Sequence, residues 1–155
     1  MSEIVVRNAY QTDWDEAMKL AWNTFMKFDA PDYSQEGIIN FNKFINDEML
    51  YKMFVLGSYQ LFVAEEDKRI VGMLSLREKK HISLLFVDVN HLQQGIAKSL
   101  MRFVADYARN EEGVERLTVN SSPYAVGFYH KQGFIDLDRE VRADGIRYVP
   151  MELKL

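Results

Sequence analysis

Residues 93–97 (QQGIA) form a short uncharged stretch between two segments of different hydrophobic periodicity. The nearly continuous apolar run HISLLFVDV before it predicts a buried strand, and GIAKSLMRFVADYARN after it predicts a long amphipathic helix. The first turn of a helix leaves backbone N–H groups without partners, and the helix dipole favours negative charge beside them. Because Gly95 and Ala97 are small, an anion can come close to that backbone. The stretch therefore predicts a site for a phosphate-bearing ligand.

Two common nucleotide-binding patterns do not fit this stretch. The P-loop pattern fails because Leu92 and Ala97 stand where it requires its two glycines. The dinucleotide pattern G-x-G-x-x-G fails because Gly95 is a lone glycine and follows the fourth predicted strand instead of the first. A third pattern, Gln/Arg-x-x-Gly-x-Gly/Ala, fits at its last two positions, Gly95 and Ala97, while Leu92 occupies its first position.

Two motifs in the right order make the sequence resemble the GNAT (Gcn5-related) N-acetyltransferase family over essentially its whole length. VDVNHLQQGIAKSLM resembles motif A, whose loop has the third pattern and binds the diphosphate of coenzyme A. LFVAEEDKRIVGMLSL resembles the family's central hairpin. Leu92 departs from the usual Gln or Arg, so a weaker affinity for the cofactor is one expectation. NSSPYAVGFYHKQGF resembles motif B, with Ser122, Ala125, Phe128-Tyr129 and Gly133-Phe134 at the family's positions.

The resemblance implies an N-acetyltransferase that moves an acetyl group from acetyl-CoA, its co-substrate, to a primary amine by direct attack in a ternary complex. In the family, backbone N–H groups of the central strand stabilise the oxyanion, and the strand pairs with the pantetheine arm. The cofactor-binding residues that the resemblance implies are Leu85, Phe86 and Val87 on that strand, Gln93, Gln94, Gly95, Ile96, Ala97 and Lys98 at the loop, and Ser122 and Tyr129 in motif B.

Tyr129 and His81 are the candidates for proton transfer that the resemblance suggests. Tyr129 falls on the family's general-acid tyrosine, and a phenol with a pKa of about 10 can protonate a thiolate leaving group. The alternative for Tyr129 is an aromatic ring that only packs on the sheet. His81 begins the central strand, where a neutral imidazole is suited to remove an ammonium proton, unless it is only an exposed strand-end residue. Bulk water is a further alternative base, and the other candidates are His91, His130, Asp88 and Glu78.

The acceptor amine can be a small molecule or a protein amine, and its pocket is expected from the early helices and the closing hairpin. The loop KFDAPDYSQEG combines carboxylates with an aromatic ring, which suits a cationic amine. Trp22 and Phe25 are candidates for an aromatic wall, although aromatics at helical spacing are usually core residues. The candidate residues in the loop are Asp29, Asp32, Tyr33 and Glu36.

The composition excludes several other classes of protein. The chain has 155 residues, no cysteine and a formal net charge of −4. Without cysteine there is no disulfide, thiolate metal site or cysteine nucleophile, and three scattered histidines lack metal-ligand spacing, so we expect no metal. An acidic chain lacks the basic surface that nucleic-acid binding requires. We expect no signal peptide, no membrane span and a cytoplasmic location, while a homodimer stays open.

The order of helices and strands along the chain is predicted from hydrophobic periodicity. The predicted order is β-α-α-β-β-β-α-β-α-β-β, without repeats or linkers, so we expect a single domain over residues 1–155. The resemblance implies a GNAT-like α/β (α+β) fold: a mixed, mostly antiparallel sheet of about seven strands with helices on both faces. The alternative function is a non-catalytic acyl-CoA-binding module that keeps this fold as a sensor or partner domain.

Overall fold

The computed structural model describes residues 3–155, in which helices cover both faces of an eight-stranded sheet. The predicted mixed, mostly antiparallel fold is confirmed. None of the helices within residues 3–155 is long and apolar enough to cross a membrane. The strands are β1 (Ile4–Asn8), β2 (Tyr59–Glu66), β3 (Arg69–Arg77), β4 (His81–Val87), β5 (Arg116–Ser121), β6 (Ile135–Asp136), β7 (Val141–Ala143) and β8 (Ile146–Lys154). The α-helices are α1 (Trp14–Phe28), α2 (Gln35–Ile45), α3 (Glu48–Val55), α4 (Ile96–Glu112) and α5 (Val126–Lys131).

The strands follow the order β1-β2-β3-β4-β5-β8-β6, and β7 pairs with β8. Every described pairing is antiparallel except that of β4 with β5, which is parallel. That parallel pairing joins only His81 to Thr118 and Ile82 to Val119. Beyond Ile82 the two strands separate, so the edge of β4 that faces β5 leaves backbone groups without a ladder partner.

The structure corrects the predicted element count, because it contains one more strand and one more helix. The predicted strand FIDLDREV is divided into β6 and β7, which pair with successive parts of the longer β8. Pro150 lies in β8 between these parts and has no N–H to donate, which interrupts the ladder there. The segment from Ser34 to Phe54 forms two helices, because Asp47 begins α3 by accepting a hydrogen bond from the Met49 N–H at 2.9 Å.

Two hydrophobic clusters hold the sheet between the helices. One cluster lies under α4 and α5 and includes the fully buried side chains of Leu100, Val104 and Met151. The other lies under α1, α2 and α3 and includes Trp14 and Met18. Truncating one such large side chain to alanine costs about 2–5 kcal/mol. The packed strands β2, β3 and β4 therefore form a rigid base for the opening between β4 and β5.

Candidate active site

Two cavities meet where β4 and β5 separate. The hairpin-side cavity has a volume of about 350 Å³ and is bounded by α1, α2, β4 and the turn between β7 and β8. The loop-side cavity has a volume of about 400 Å³ and runs toward the turn that precedes α4. The residues that line both cavities are Asp29, Leu85, Phe86, Ser122, Ala125 and Tyr129. This shared region is the point at which two ligands, one from each side, would come into contact.

The turn before α4, which the sequence marks as a candidate anion site, contains a left-handed residue and no side-chain cap. Gly95 adopts a left-handed conformation with a φ of 76° at the N-cap of α4, and no side chain caps the helix. A Cβ atom at Gly95 would meet no atom within 4 Å, so the residue is needed for its backbone angle and the space above it is open. The first N–H groups of α4 therefore have no side-chain cap, and the helix begins beside open space at Gly95.

The side chains at this turn have different surroundings. Gln93, Gln94 and Lys98 are exposed, so each can reach a ligand bound over the turn. Ile96 is buried and packs in the cluster under α4, so only its backbone can contact a ligand. Of the other residues, Leu92 and Ala97 line the loop-side cavity, together with Val87 at the end of β4.

His91 connects this turn to two strands. Its Nδ1 lies 2.8 Å from Oδ2 of Asp88, and its Nε2 lies 3.0 Å from Oε1 of Glu66 at the end of β2. Burial lowers the pKa of His91, but the hydrogen bonds to Asp88 and Glu66 and their charges outweigh it and raise that pKa above its usual value. His91 thus anchors the entry to the turn and lines neither cavity.

Tyr129 is buried in α5 and lines both cavities. Its ring packs against Phe128 and Phe134, with centroid distances of 5.3 and 5.1 Å. Burial, followed by the charge of Asp29, raises the pKa of Tyr129 above its usual value, and no hydrogen bond contributes to the shift. The phenol is therefore held protonated at the meeting point of the cavities, in the form that a general acid requires.

The central strand is irregular next to this meeting point. Ser75 pairs with Leu84 and Leu76 pairs with Ile82, which leaves Ser83 as an extra residue in β4. Such a β-bulge bends a strand and re-aims its side chains. Ser83 Oγ accepts a hydrogen bond from the Tyr59 hydroxyl at 3.0 Å, which fixes the bulge against β2. The backbone that follows, at Leu85 and Phe86, has no partner on β5 and faces both cavities.

His81 lies at the other end of the hairpin-side cavity. Its Nδ1 lies 2.8 Å from Oγ1 of Thr118, and burial and then the charge of Arg77 lower its pKa, so the ring is neutral near pH 7. Four residues separate it from Leu85 along β4, which is about 13 Å at the usual rise. His81 therefore lines the hairpin-side cavity outside the region that the two cavities share. His130 pairs with Asp136 at 2.7 Å on the surface and lines neither cavity.

Asp29 is the carboxylate that the structure does bring beside Tyr129. It follows α1 directly and lines both cavities. Burial raises the pKa of Asp29 to about 6, a hydrogen bond donated by Ser122 opposes that rise, and the charge of Asp32 adds to it. The sequence placed Asp29 in an acidic, aromatic loop but could not separate it from Asp32 and Glu36. Neither of those two lines a cavity, and Asp32 instead lies 3.4 Å from Arg147.

Aromatic side chains form one wall of the hairpin-side cavity, as the sequence suggested for Phe25. Phe25 and Phe41 are stacked with a centroid distance of 3.9 Å and an interplanar angle of 3°, and Tyr33 meets Phe25 edge-on. Trp22 lies behind this pair and does not line the cavity. Phe41 thus takes the place in the wall that the sequence suggested for Trp22.

The turn between β7 and β8 closes this cavity against α2. Ser34 N donates a hydrogen bond to the Gly145 carbonyl at 3.0 Å, and Asp144 and Ile146 line the cavity. A Cβ atom at Gly37 would lie 2.6 Å from the Gly145 oxygen. The two backbones therefore touch at a place where neither residue can carry a side chain.

Metal ligands are not assembled in the described part of the chain. No group of three or more His, Cys, Asp or Glu side chains within residues 3–155 is arranged to hold a metal ion.

Comparison with known proteins points to one family. The model of the acetyltransferase (GNAT) domain matches residues 29–155. Human N-acetyltransferase 8 is 35% identical over 85 residues, which are 47% of this chain and 37% of the human protein. Peptidyl-lysine N-acetyltransferase YiaC of Escherichia coli is 31% identical over 83 residues, which are 54% of this chain and 55% of that protein. The matched region thus spans little more than half, or less, of the curated relatives.

A solved structure extends the likeness in fold to the whole chain. The PaiA N-acetyltransferase of Thermoplasma acidophilum, solved in complex with coenzyme A, has a TM-score of 0.82 and 21% sequence identity. The match covers 99% of each chain. At this identity the likeness supports the fold, including the parts that precede residue 29.

Proposed function

The chain belongs to the GNAT acetyltransferase family, and on that basis we propose that it transfers the acetyl group of acetyl-CoA to a primary amine by direct attack in a ternary complex. The observation that carries the proposal is the meeting of two cavities at Tyr129. One cavity leads to the turn before α4, and the other is lined by aromatic side chains. We propose that residues 1–155 form a single acetyltransferase domain, because β1 pairs with β2 and α1 packs on the same sheet as the matched residues.

Acetyl-CoA would occupy the loop-side cavity. The N–H groups from Gly95 to Lys98 would bind the diphosphate, helped by the dipole of α4 and by the side chains of Gln93 and Gln94. The pantetheine arm would lie along Leu85, Phe86 and Val87, where β4 has lost its pairing with β5. The thioester would then reach the region shared by the two cavities, next to Tyr129 and Ser122.

The reaction requires three functions at that point. The neutral amine attacks the carbonyl carbon of the thioester, and the C–N bond forms as negative charge develops on the carbonyl oxygen. Backbone N–H groups of β4 near Leu85 and Phe86 stabilise that charge. The C–S bond then breaks, and the departing thiolate takes a proton from the Tyr129 hydroxyl, which burial keeps protonated. The proton lost by the amine nitrogen leaves through a base or through water.

The hairpin-side cavity favours a small primary amine as acceptor. Its volume of about 350 Å³ is at the low end of ligand pockets, which range over about 300–1,000 Å³. The Phe25 and Phe41 rings suit the carbon chain of an amine and, face on, its ammonium group. One relative is named a peptidyl-lysine acetyltransferase, so a lysine side chain of a peptide is the acceptor to compare with free amines.

The experiment is an acceptor screen with acetyl-CoA, in which release of free CoA thiol is measured. We expect thiol release with at least one primary amine and retention of the acetyl group on its nitrogen, shown by mass spectrometry. A protein that binds acetyl-CoA but releases no thiol with free amines or lysine peptides would be the non-catalytic acyl-CoA-binding module. That outcome would contradict the proposed activity while leaving the cofactor site in place.

A further inference from the structure

We propose that Asp29 is a catalytic residue that accepts the proton of the attacking amine, opposite Tyr129 as the proton donor. The assignment rests on the proposed function and adds to it a proton acceptor, for which the sequence offered His81 as one candidate. The N–H proton passes to a carboxylate oxygen of Asp29 as the C–N bond forms. The Tyr129 O–H proton passes to sulfur as the C–S bond breaks. The products are a neutral amide and a free thiol, and the site is left with protonated Asp29 and the Tyr129 phenolate. Proton exchange with solvent then restores both residues.

Asp29 and His81 differ in their positions relative to the two cavities. Asp29 and Tyr129 are the titratable residues that line both cavities, so both face the place where an amine and a thioester can meet. His81 lines the hairpin-side cavity alone, and about 13 Å of strand separates it from Leu85. A base must lie within hydrogen-bonding reach of the proton it removes, directly or through one water. Asp29 lies in the region shared by the two cavities, where such a proton would be removed, and His81 lies outside that region.

The surroundings of Asp29 leave its charge uncompensated. No cation contributes to its pKa, and the groups that do are the Ser122 hydroxyl and the charge of Asp32. Two phenols, Tyr33 and Tyr129, face it from the following turn and from α5. Its place at the C-terminal end of α1 puts it in the negative part of that helix dipole. An ammonium group entering the cavity would therefore be drawn to Asp29, as the nearest opposite charge.

The pKa of Asp29 lies below the working pH, and the pKa of Tyr129 lies above it. Burial raises the pKa of Asp29 to about 6, so it is mostly ionised at pH 7 but can hold a proton transiently. Burial and the charge of Asp29 raise the pKa of Tyr129, so it is fully protonated at the same pH. Paired groups whose environments separate their pKa values in this way mark a base and an acid. A free alkylammonium is far less acidic than Asp29, but the nitrogen becomes strongly acidic once it bonds to the carbonyl carbon.

The test is the pH profile of turnover for wild type, Asp29→Asn, Asp29→Glu and Asp32→Asn, with the amine that the acceptor screen identifies. We expect kcat/KM of wild type, calculated on the concentration of neutral amine, to fall in acid with an apparent pKa of about 6. In Asp29→Asn that acid limb should disappear and kcat should fall by roughly 10²–10⁴, the usual worth of a positioned proton acceptor. If Asp29 only bound the ammonium group, Asp29→Asn would instead raise KM and leave kcat unchanged. That result would overturn the assignment.

Two variants keep the test informative if Asp29→Asn folds poorly. Asp29→Glu retains a carboxylate, so it should keep an acid limb with reduced kcat. Asp32→Asn removes the nearby charge that raises the pKa of Asp29, so its acid limb should survive and move to lower pH. Thermal stabilisation by acetyl-CoA should be equal in all four proteins. An acid limb unchanged in Asp29→Asn overturns the assignment alone, whereas absence of thiol release by wild type overturns the proposed function with it.

Discussion

Asp29 and Tyr129 line the same two cavities, and the charge of Asp29 helps to raise the pKa of Tyr129. The carboxylate comes from the end of α1 and the phenol from α5, on opposite sides of the opening between β4 and β5. This opening exists because the parallel pairing of the two strands stops after Ile82. Because β4 and β5 separate, residues of α1 and α5, which are distant in sequence, come to line the same opening.

Replacement of Tyr129 by Phe removes the hydroxyl and keeps the ring. The contacts with Phe128 and Phe134 remain, so the melting temperature and the affinity for CoA should change little. Because the proton is needed only as the C–S bond breaks, kcat should fall by roughly 10²–10⁴ with a smaller effect on KM. An aryl thioester with a more acidic thiol should lose less rate with the same amine. Near-full kcat with acetyl-CoA would make Tyr129 a packing residue.

Acetyl-CoA should stabilise the protein against heat, and NAD and ATP should do so far less. Binding only to the folded state adds about 2.7 kcal/mol at a hundredfold excess over Kd. Gly95→Val should abolish this shift, because a β-branched residue does not tolerate the φ of 76° that shapes the turn. Gly113→Val is the matched control: it has a φ of 64° and open space at the other end of α4. It should lose similar stability and keep the shift, and an equal loss of the shift in both variants would contradict the anion-binding role.

The His91 anchor should make stability depend on pH. The folded pKa of His91 is above its usual value, so protonated His91 favours the folded state. That contribution is complete below the unfolded pKa of about 6.5 and is lost as pH rises through the folded value. The difference in unfolding free energy between wild type and His91→Gln should therefore be larger near pH 6 than near pH 8.5. Denaturant titrations at both pH values measure it, and a pH-independent difference would show that His91 acts only by packing.

Arg77 should influence which amines are accepted. It pairs with His81 in the sheet and lines the end of the hairpin-side cavity that lies away from Tyr129. An acceptor with an amine at one end and a carboxylate at the other, such as 6-aminohexanoate, should therefore have a lower KM than hexylamine or a polyamine. Arg77→Gln should raise the KM of the amino acid by about two- to fivefold, the worth of an exposed ion pair, and leave hexylamine unaffected. Arg142→Gln, outside both cavities, is the control, and equal effects on both amines would contradict the prediction.

The local parts of this site could be predicted from the sequence. Gly95 and Ala97 mark a turn because their small size and the helix start are readable along the chain, and the motif around Tyr129 predicts the short helix that carries it. The end of the β4–β5 pairing at Ile82 could not be predicted, since HISLLFVDV has one continuous apolar pattern. How far two strands pair is decided by what packs between them. Asp29 could not be singled out in its loop for a similar reason: its place in both cavities depends on elements distant in sequence. Neighbouring Asp32 instead pairs with Arg147.

The contact between Gly37 and Gly145 has a consequence for how this acceptor pocket can diverge. A Cβ atom at Gly145 would collide with Ser34 Oγ and lie 2.8 Å from the Gly37 N–H, and one at Gly37 would collide with the Gly145 oxygen. Either substitution alone pushes the hairpin away from α2, so the cost of the second falls once the first has been made. The two positions are therefore expected to be energetically coupled: with both glycines the hairpin stays against α2, and with both replaced the site would open to larger acceptors.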